Sequence, residues 1–217
     1  MKIAPSILSA DFLNLGADIR MLNQNADLIH LDVMDGSLVP NISFGFSVID
    51  AVKEIAAIPM DAHLMIVHPE RYFKRLADDG VEMTSFHLEA ALQQGSDPSE
   101  MLQQIRDLGM QAGLAFNPDM PLEKVYPYLK DADFVLIMTV FAGFGGQKII
   151  DNAEERIRSM AEEIRRQGLN IPIEIDGGVK IDNIAALGAA GADIAVAGSQ
   201  VFKSEDPART IRTMQGV

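Results

Sequence analysis

The sequence predicts an α/β protein of the (β/α)8 barrel class, on three observations. Eight short apolar segments alternate with longer amphipathic ones, and a strand-plus-helix unit recurs about every 20 to 35 residues. No GxGxxG motif follows the first apolar segment, which disfavours an open dinucleotide-binding sheet. Polar residues also follow several separate strands, and the carboxyl ends of barrel strands meet at one mouth. We therefore expect a single TIM barrel, with residues 1–217 forming one domain.

The predicted strands are rich in Ile, Val, Leu and Phe, as expected of parallel strands that are buried on both faces. They cover residues 2–8, 27–33, 58–65, 83–88, 111–116, 133–140, 171–176 and 193–198.

The segments between the strands carry helix boundary signals. Asp97 is a typical N-cap, Pro98 suits the first helical position, and Glu100 completes a capping box. Residues 154–168 form an amphipathic stretch with basic residues in its last turn and Gly168 as a C-terminal cap. Further helix boundaries are predicted at Pro69, Gly80, Gly109 and Gly191.

Composition excludes several classes of function. The 217 residues carry a net charge of −13, which repels nucleic acid and anionic membranes, so neither is an expected partner. No segment reaches the roughly 18 apolar residues of a membrane span. The absence of cysteine excludes disulfides, thiolate metal ligands and a cysteine nucleophile. Polar residues interrupt the first apolar segment, which is unlike a signal peptide, so we expect a cytoplasmic protein.

Two histidines and two aspartates form a candidate metal site. His30 and Asp32 are two positions apart on a predicted strand, so both side chains point to the same face. His63 lies in the third strand and Asp176 ends the seventh. A carboxylate in a buried strand is costly unless it is paired or coordinated. The set suits one divalent ion, with zinc, iron(II), manganese and cobalt all compatible.

His87 and Glu89 show the same two-residue spacing at the end of the fourth strand. They could be a rival pair of ligands, but we favour a pair that supports the site from behind, or a buried hydrogen-bonded pair.

Glycine-rich turns follow three consecutive strands, at residues 143–147, 176–178 and 197–199. The turns after strands seven and eight of a barrel commonly bind phosphate through backbone N–H groups. Small residues allow the backbone to approach the anion closely. We therefore expect a phosphate-binding site. Ser6, near the end of the first predicted strand, could hydrogen-bond the substrate or form a turn.

Taken in order along the chain, these segments resemble the ribulose-phosphate 3-epimerase family. The matching strings are APSILSAD, HLDVMDG, VPN with SFG, HLM, MTV with GFGGQ, IDGG and AGS. The resemblance implies a metal-dependent barrel isomerase that interconverts D-ribulose 5-phosphate and D-xylulose 5-phosphate in the pentose phosphate pathway. It also implies proton transfer at C3 by two bases, through a metal-stabilised enediolate.

The resemblance implies roles for individual residues as well. Asp32 and Asp176 would be the paired bases, and both would bind the metal together with His30 and His63. The implied substrate contacts are Ser6, His63, Gly143, Phe144, Gly145, Gly146, Gly177, Gly178, Gly198 and Ser199.

The chain departs from the family pattern near the expected mouth. Phe141 and Ala142 stand where the family commonly has Asn-Pro, and Ser37 and Leu38 replace His-Phe. Loss of the proline predicts a more mobile turn.

These departures leave alternatives open. One is a 3-epimerase of a six-carbon ketose phosphate such as allulose 6-phosphate. Others are a metal-dependent aldolase, a phosphate-binding barrel of amino-acid biosynthesis, and a non-catalytic phosphosugar-binding barrel. We also expect a homo-oligomer.

Overall fold

The computed structural model describes residues 1–216 and contains eight parallel strands in the neighbour order β1-β8-β7-β6-β5-β4-β3-β2. The predicted (β/α)8 TIM barrel is confirmed. The strands are β1 Lys2–Ala4, β2 Ile29–Met34, β3 Met60–Met65, β4 Met83–His87, β5 Gln111–Phe116, β6 Phe134–Met138, β7 Ile173–Asp176 and β8 Ile194–Val196.

The barrel closes between β1 and β2 through a single bridge between Ser6 and His30. The His30 N–H donates to the Pro5 carbonyl at 3.1 Å, and the Asp27 N–H donates to the Ile3 carbonyl at 3.1 Å. The closure therefore places Ser6 beside the first two predicted metal ligands.

Helices follow the strands and cover the outside of the barrel. They are α1 Leu15–Asn25, α2 Phe46–Lys53, α3 Phe73–Asp78, α4 Leu88–Gln94, α5 Pro98–Asp107, α6 Leu122–Val125, α7 Ala153–Arg166, α8 Ile184–Ala190, α9 Ser199–Phe202 and α10 Pro207–Gln215. Short 3₁₀ helices occupy Ile7–Ser9, Pro69–Arg71 and Tyr126–Asp131.

Three of the predicted helix signals, Asp97, Pro98 and Gly168, act as expected, whereas Pro69 begins only the 3₁₀ helix Pro69–Arg71. The Asp97 side chain accepts the Ser99 N–H at 2.9 Å, and Pro98 is the first residue of α5. Gly168 follows α7 with a φ of 71°, which glycine adopts without a steric penalty. No helix among residues 1–216 is long and apolar enough to cross a membrane.

The interior of the barrel changes from apolar to polar along its axis. One apolar cluster inside it consists of Ala4, Leu28, Met83, Phe134, Ile194 and Val196. A side chain on Gly113 would place its Cβ only 2.2 Å from the Phe134 ring, so the glycine makes room for the aromatic residue. Buried His30, Asp61 and Glu174 have no exposed surface, and they belong to the polar part.

Candidate metal and substrate site

The four predicted metal ligands meet at one place in the barrel. Each of His30, Asp32, His63 and Asp176 offers one ligand atom, and these atoms all lie within 4.8 Å of one another. Asp32 Oδ1 is 3.4 Å from His30 Nε2 and 3.2 Å from His63 Nδ1. His63 Nδ1 is 3.6 Å from Asp176 Oδ2. His30 Nε2 is buried and has no hydrogen-bond partner among residues 1–216, as expected of a nitrogen that faces a cation. This buried cluster could bind one metal ion.

A second buried group lies behind His30. His30 Nδ1 is 2.6 Å from Asp61 Oδ2, so the carboxylate accepts the Nδ1 proton and leaves Nε2 free to bind. Glu174 Oε1 is 3.7 Å from the same nitrogen. The sequence analysis did not single out Asp61 or Glu174. The available signal was the period of two, because each acid lies two residues before His63 or Asp176.

The close packing of these groups shifts their pKa values. Burial lowers the pKa of His30, but the Asp61 and Asp32 carboxylates outweigh it, and the pKa is raised well above its ordinary value. Burial also lowers the pKa of His63, but the Asp176 and Asp32 carboxylates outweigh this effect and the pKa is raised. The two imidazoles lower the pKa of Asp32 against the effect of burial. The carboxylates therefore favour the protonated imidazoles in the cation-free cluster, and a bound cation would compete with those protons.

The pKa of Glu174 is shifted in the opposite direction from that of Asp32. Its pKa is raised well above the ordinary value by burial and by the neighbouring Asp61 carboxylate. Both Glu174 oxygens lack a hydrogen-bond partner within residues 1–216. A neutral carboxyl group at this depth avoids the large cost of an isolated buried charge.

Two serines brace Asp32. The Ser6 hydroxyl donates to Asp32 Oδ2 and also accepts the Leu8 N–H at 3.2 Å, which caps the first 3₁₀ helix. The Ser43 hydroxyl donates to the Asp32 carbonyl at 2.6 Å and accepts the Met34 N–H at 3.0 Å. Ser6 therefore does form a turn, and its hydroxyl also orients one carboxylate oxygen of the site.

Thr139 stabilises the backbone at Asp176. Its hydroxyl donates to the Asp176 carbonyl at 2.9 Å and lies 2.6 Å from the Gly177 carbonyl. Thr139 is fully buried just beyond β6, and the sequence analysis did not single it out. A buried threonine next to a glycine turn was the only available signal.

Asp32 and Asp176 open into a cavity of about 360 Å³ at the carboxyl ends of the strands. The predicted glycine turns all contribute to its wall, together with Lys180 and Lys203, which were not predicted there. His63 is fully buried and lies beneath the cavity, outside its wall. The predicted substrate contacts that line it are Ser6, Gly143, Phe144, Gly145, Gly146, Gly177, Gly178, Gly198 and Ser199.

The glycine turns pack closely against their neighbours, and at Gly178 the neighbour is backbone. A Cβ on Gly178, whose φ is +67°, would lie 2.6 Å from the Ile149 nitrogen. A Cβ on Gly198 would lie 2.6 Å from the Ser9 hydroxyl. Larger residues would displace these turns from the cavity wall.

The loop at 141–147 is tied to the barrel at several points. The Ala142 N–H donates to Asn117 Oδ1 at 2.9 Å, and Asn41 Nδ2 donates to the Gly143 carbonyl at 2.9 Å. A proline at position 142 would have no N–H for this bond. The greater mobility expected from the loss of proline is therefore opposed by a hydrogen bond that proline could not make.

His87 and Glu89 lie behind His63, outside the four-residue cluster. His87 Nε2 is 2.8 Å from His63 Nε2, and the two rings stack with centroids 5.0 Å apart. His87 Nδ1 is 3.3 Å from Glu89 Oε2. Burial lowers the pKa of His87. The favoured prediction, a pair that supports the site from behind, agrees with this geometry.

Known structures share this fold at low sequence identity. A mutant tryptophan synthase alpha-subunit from Pyrococcus furiosus is 15% identical with a TM-score of 0.72, over 100% of this chain and 98% of that one. KGPDC from Streptococcus mutans is 11% identical with a TM-score of 0.73, over 99% and 95% of the two chains. A 3-hexulose-6-phosphate synthase is 19% identical with a TM-score of 0.66, over 100% and 99%. These likenesses concern the fold alone.

Curated relatives are more similar in sequence. Ribulose-phosphate 3-epimerase from Bacillus subtilis (strain 168) is 39% identical, over 100% of this chain and 99% of the relative. The enzyme of the same name from Synechocystis sp. is 42% identical, over 96% and 90% of the two chains. Residues 2–202 match the family described as the ribulose-phosphate 3 epimerase family. The chain therefore belongs to the ribulose-phosphate 3-epimerase family, whose members are isomerases of the racemase and epimerase class.

Proposed function

We propose that the protein is a metal-dependent ribulose-phosphate 3-epimerase that interconverts D-ribulose 5-phosphate and D-xylulose 5-phosphate in the pentose phosphate pathway. The observation that carries this proposal is the shared position of Asp32 and Asp176. Both line one cavity, and both lie within reach of the buried His63 imidazole. We also expect a cytoplasmic homo-oligomer.

One divalent ion would be held by His30 Nε2, His63 Nδ1 and one carboxylate oxygen each from Asp32 and Asp176. The ion, whether zinc, iron(II), manganese or cobalt, would supply Lewis-acid stabilisation of negative charge on the sugar oxygens. Asp61 supports this arrangement because it holds the proton on His30 Nδ1.

The two aspartates would move the proton at C3. In one direction Asp32 takes it from one face of the sugar, and Asp176 delivers one to the other face; the reverse reaction exchanges the roles. The lowered pKa of Asp32 favours its ionised, basic form. The Ser6 hydroxyl holds Asp32 Oδ2, so the carboxylate keeps one orientation during the transfer.

The glycine turns would hold the phosphate group. Residues 177–178 and 198–199 line the cavity together with Lys180 and Lys203. Their backbone N–H groups would bind the phosphate, and the two lysines would add positive charge. Anchoring the phosphate fixes C3 between the carboxylates. The 141–147 loop would cover the sugar and exclude water that could protonate the enediolate.

The six-carbon alternative depends on the same cavity. Phe141 and Ala142, the two departures from the family pattern, line its wall, and the Phe141 side chain is 53% exposed. A side chain at this wall could distinguish the two sugars if it contacts the segment between C3 and the phosphate, where the six-carbon sugar has its extra carbon. The pentose phosphate remains our proposal because full-length relatives carry that name.

The test is a C3 exchange assay in deuterated water, followed by kcat/KM for ribulose 5-phosphate and allulose 6-phosphate. We expect Mn²⁺- or Co²⁺-dependent exchange and a preference for the pentose. A higher kcat/KM for allulose 6-phosphate would transfer the assignment to the six-carbon enzyme. A folded, metal-loaded protein that exchanges neither sugar would support the non-catalytic binding barrel.

A further inference from the structure

The two ring nitrogens of His63 have different surroundings. Nδ1 faces the carboxylates of Asp32 and Asp176, at 3.2 and 3.6 Å. Nε2 points the other way and lies 2.8 Å from Nε2 of His87. Both imidazoles are fully buried, so this contact is shielded from solvent. Two nitrogens at this distance form a hydrogen bond only if one ring donates and the other accepts.

Glu89 determines which ring donates. Its Oε1 accepts the Asn117 N–H at 2.7 Å, and its Oε2 lies 3.3 Å from His87 Nδ1. An ionised carboxylate can only accept, so the proton of His87 stays on Nδ1 and its Nε2 accepts. The Asn117 side-chain amide also lies 3.5 Å from His87 Nδ1, but the shorter contact to a charged acceptor governs.

The acceptor role of His87 determines which nitrogen of His63 is protonated in the candidate metal site. Because His87 Nε2 accepts, His63 keeps a proton on Nε2, so a bound cation would displace only the Nδ1 proton and take the lone pair of that nitrogen. His30 is arranged in the opposite sense, with Asp61 holding the proton on Nδ1 and Nε2 left free. The barrel therefore holds each ligand imidazole through a carboxylate, directly for His30 and through a second imidazole for His63.

We propose that Glu89 and His87 are positioning residues that select the metal-binding tautomer of His63. The inference deepens the proposed function and rests on it. His87 touches no substrate-facing surface and is not a ligand itself, so it acts through His63 alone.

Glu89→Gln tests the donor and acceptor order of the hydrogen bonds from Glu89 through His87 to His63, and it keeps the size of the side chain at position 89. Glutamine offers one acceptor and one donor in place of two acceptors. If its carbonyl accepts the Asn117 N–H, its amide meets His87 Nδ1 and forces that nitrogen to accept. His87 would then donate to His63 Nε2, and the His63 proton would move to Nδ1, where it blocks the cation. The opposite amide orientation keeps an acceptor for the His87 Nδ1 proton, but it sets the amide N–H groups against the Asn117 N–H and loses that bond.

A pair of variants at His87 provides a second test. His87→Gln keeps an acceptor for the His63 N–H, whereas His87→Leu fills similar space without one. We expect His87→Leu to weaken zinc binding more than His87→Gln does. Ser85→Ala is the matched control, since Ser85 is equally buried on the same strand and its hydroxyl has no hydrogen-bond partner within residues 1–216.

The readouts are zinc affinity by competition with a chromophoric chelator and ring tautomers by ¹H–¹⁵N NMR of the zinc-loaded protein. The chain has four histidines, which makes the ring spectra assignable. We expect Glu89→Gln and His87→Leu to weaken zinc binding by about 10- to 100-fold, as for comparable supporting residues. The wild-type spectra should show His63 protonated at Nε2 and His87 protonated at Nδ1. The Glu89→Gln spectra should lose the signal of His87 protonated at Nδ1.

The outcomes separate this inference from the proposed function. If the wild-type protein binds none of zinc, iron(II), manganese and cobalt, the proposed metal-dependent function itself is overturned. If the wild type binds zinc and both Glu89→Gln and His87→Leu match it within twofold, only the positioning role is overturned. Should Glu89→Gln fail to fold without zinc, the comparison of His87→Gln with His87→Leu decides the question.

Discussion

Asp32 and His63 are directly paired neighbours on β2 and β3, and this pairing brings the Asp32 carboxylate within 3.2 Å of the His63 imidazole. One carboxylate oxygen therefore faces the His63 imidazole, while the other accepts the Ser6 hydroxyl. This geometry supports the proposal that the same side chain binds a cation and serves as a base.

Asp176→Asn should remove one of the two proton carriers without disturbing the fold. Acid–base groups typically contribute about 10²–10⁴-fold, so we expect kcat for the epimerisation to fall by at least about 100-fold. Part of the loss would come from weaker cation binding, which assays at saturating Mn²⁺ would separate from the chemical step. Near-normal turnover by a folded Asp176→Asn protein would contradict the two-base scheme.

The stability of the cation-free protein should fall as pH rises above about 6.5. The raised pKa values of His30, His63 and Glu174 mean that the folded state keeps protons that the unfolded state has lost. A state that binds more protons is weakened as pH rises. Asp32, with its lowered pKa, is ionised in both states in this range.

Cation binding should show the opposite dependence, because the cation competes with those protons. We therefore expect the rise in Tm on adding Mn²⁺ to be larger at pH 8.5 than at pH 6.5. Differential scanning fluorimetry measures both trends. His68→Gln is the control, since His68 is partly exposed and lies outside the cluster. An equal Tm increase at the two pH values would argue against proton displacement.

Asn117→Ala should loosen the loop over the cavity. The variant removes the acceptor of the Ala142 N–H but keeps the backbone bond to Glu89. A net hydrogen-bond contribution of about 1 kcal/mol predicts a KM for the phosphosugar about fivefold higher. Ala142→Pro removes the donor of the same bond and should act in the same direction. If both variants keep the wild-type KM and the wild-type rate of proteolysis in this loop, the bond does not hold it.

Gly113→Ala should destabilise the barrel from its interior. The added methyl group would collide with the Phe134 ring, and overpacking of this kind costs about 1–3 kcal/mol. Gly16→Ala in α1 is the matched control; its new Cβ would meet only ordinary contacts and should be neutral or stabilising. Urea denaturation measures both. The double variant Gly113→Ala/Phe134→Leu should recover part of the loss, and no recovery would point to a different cause.

Local patterns along the chain were enough to predict the barrel and four of the residues that cluster inside it. Eight apolar segments with helices between them define the strands, and a spacing of two places His30 and Asp32 on one face. Helix caps such as Asp97 act through residues only two or three positions away, so the sequence is enough to locate them.

The supporting contacts could not be predicted in this way. The pairing of His30 with Asp61, the contact between His63 and His87, and the bond from Ala142 to Asn117 each join segments at least 24 residues apart. They depend on the register between neighbouring strands and on where a loop returns over the barrel. No short pattern carries that register, because it arises when the whole sheet closes.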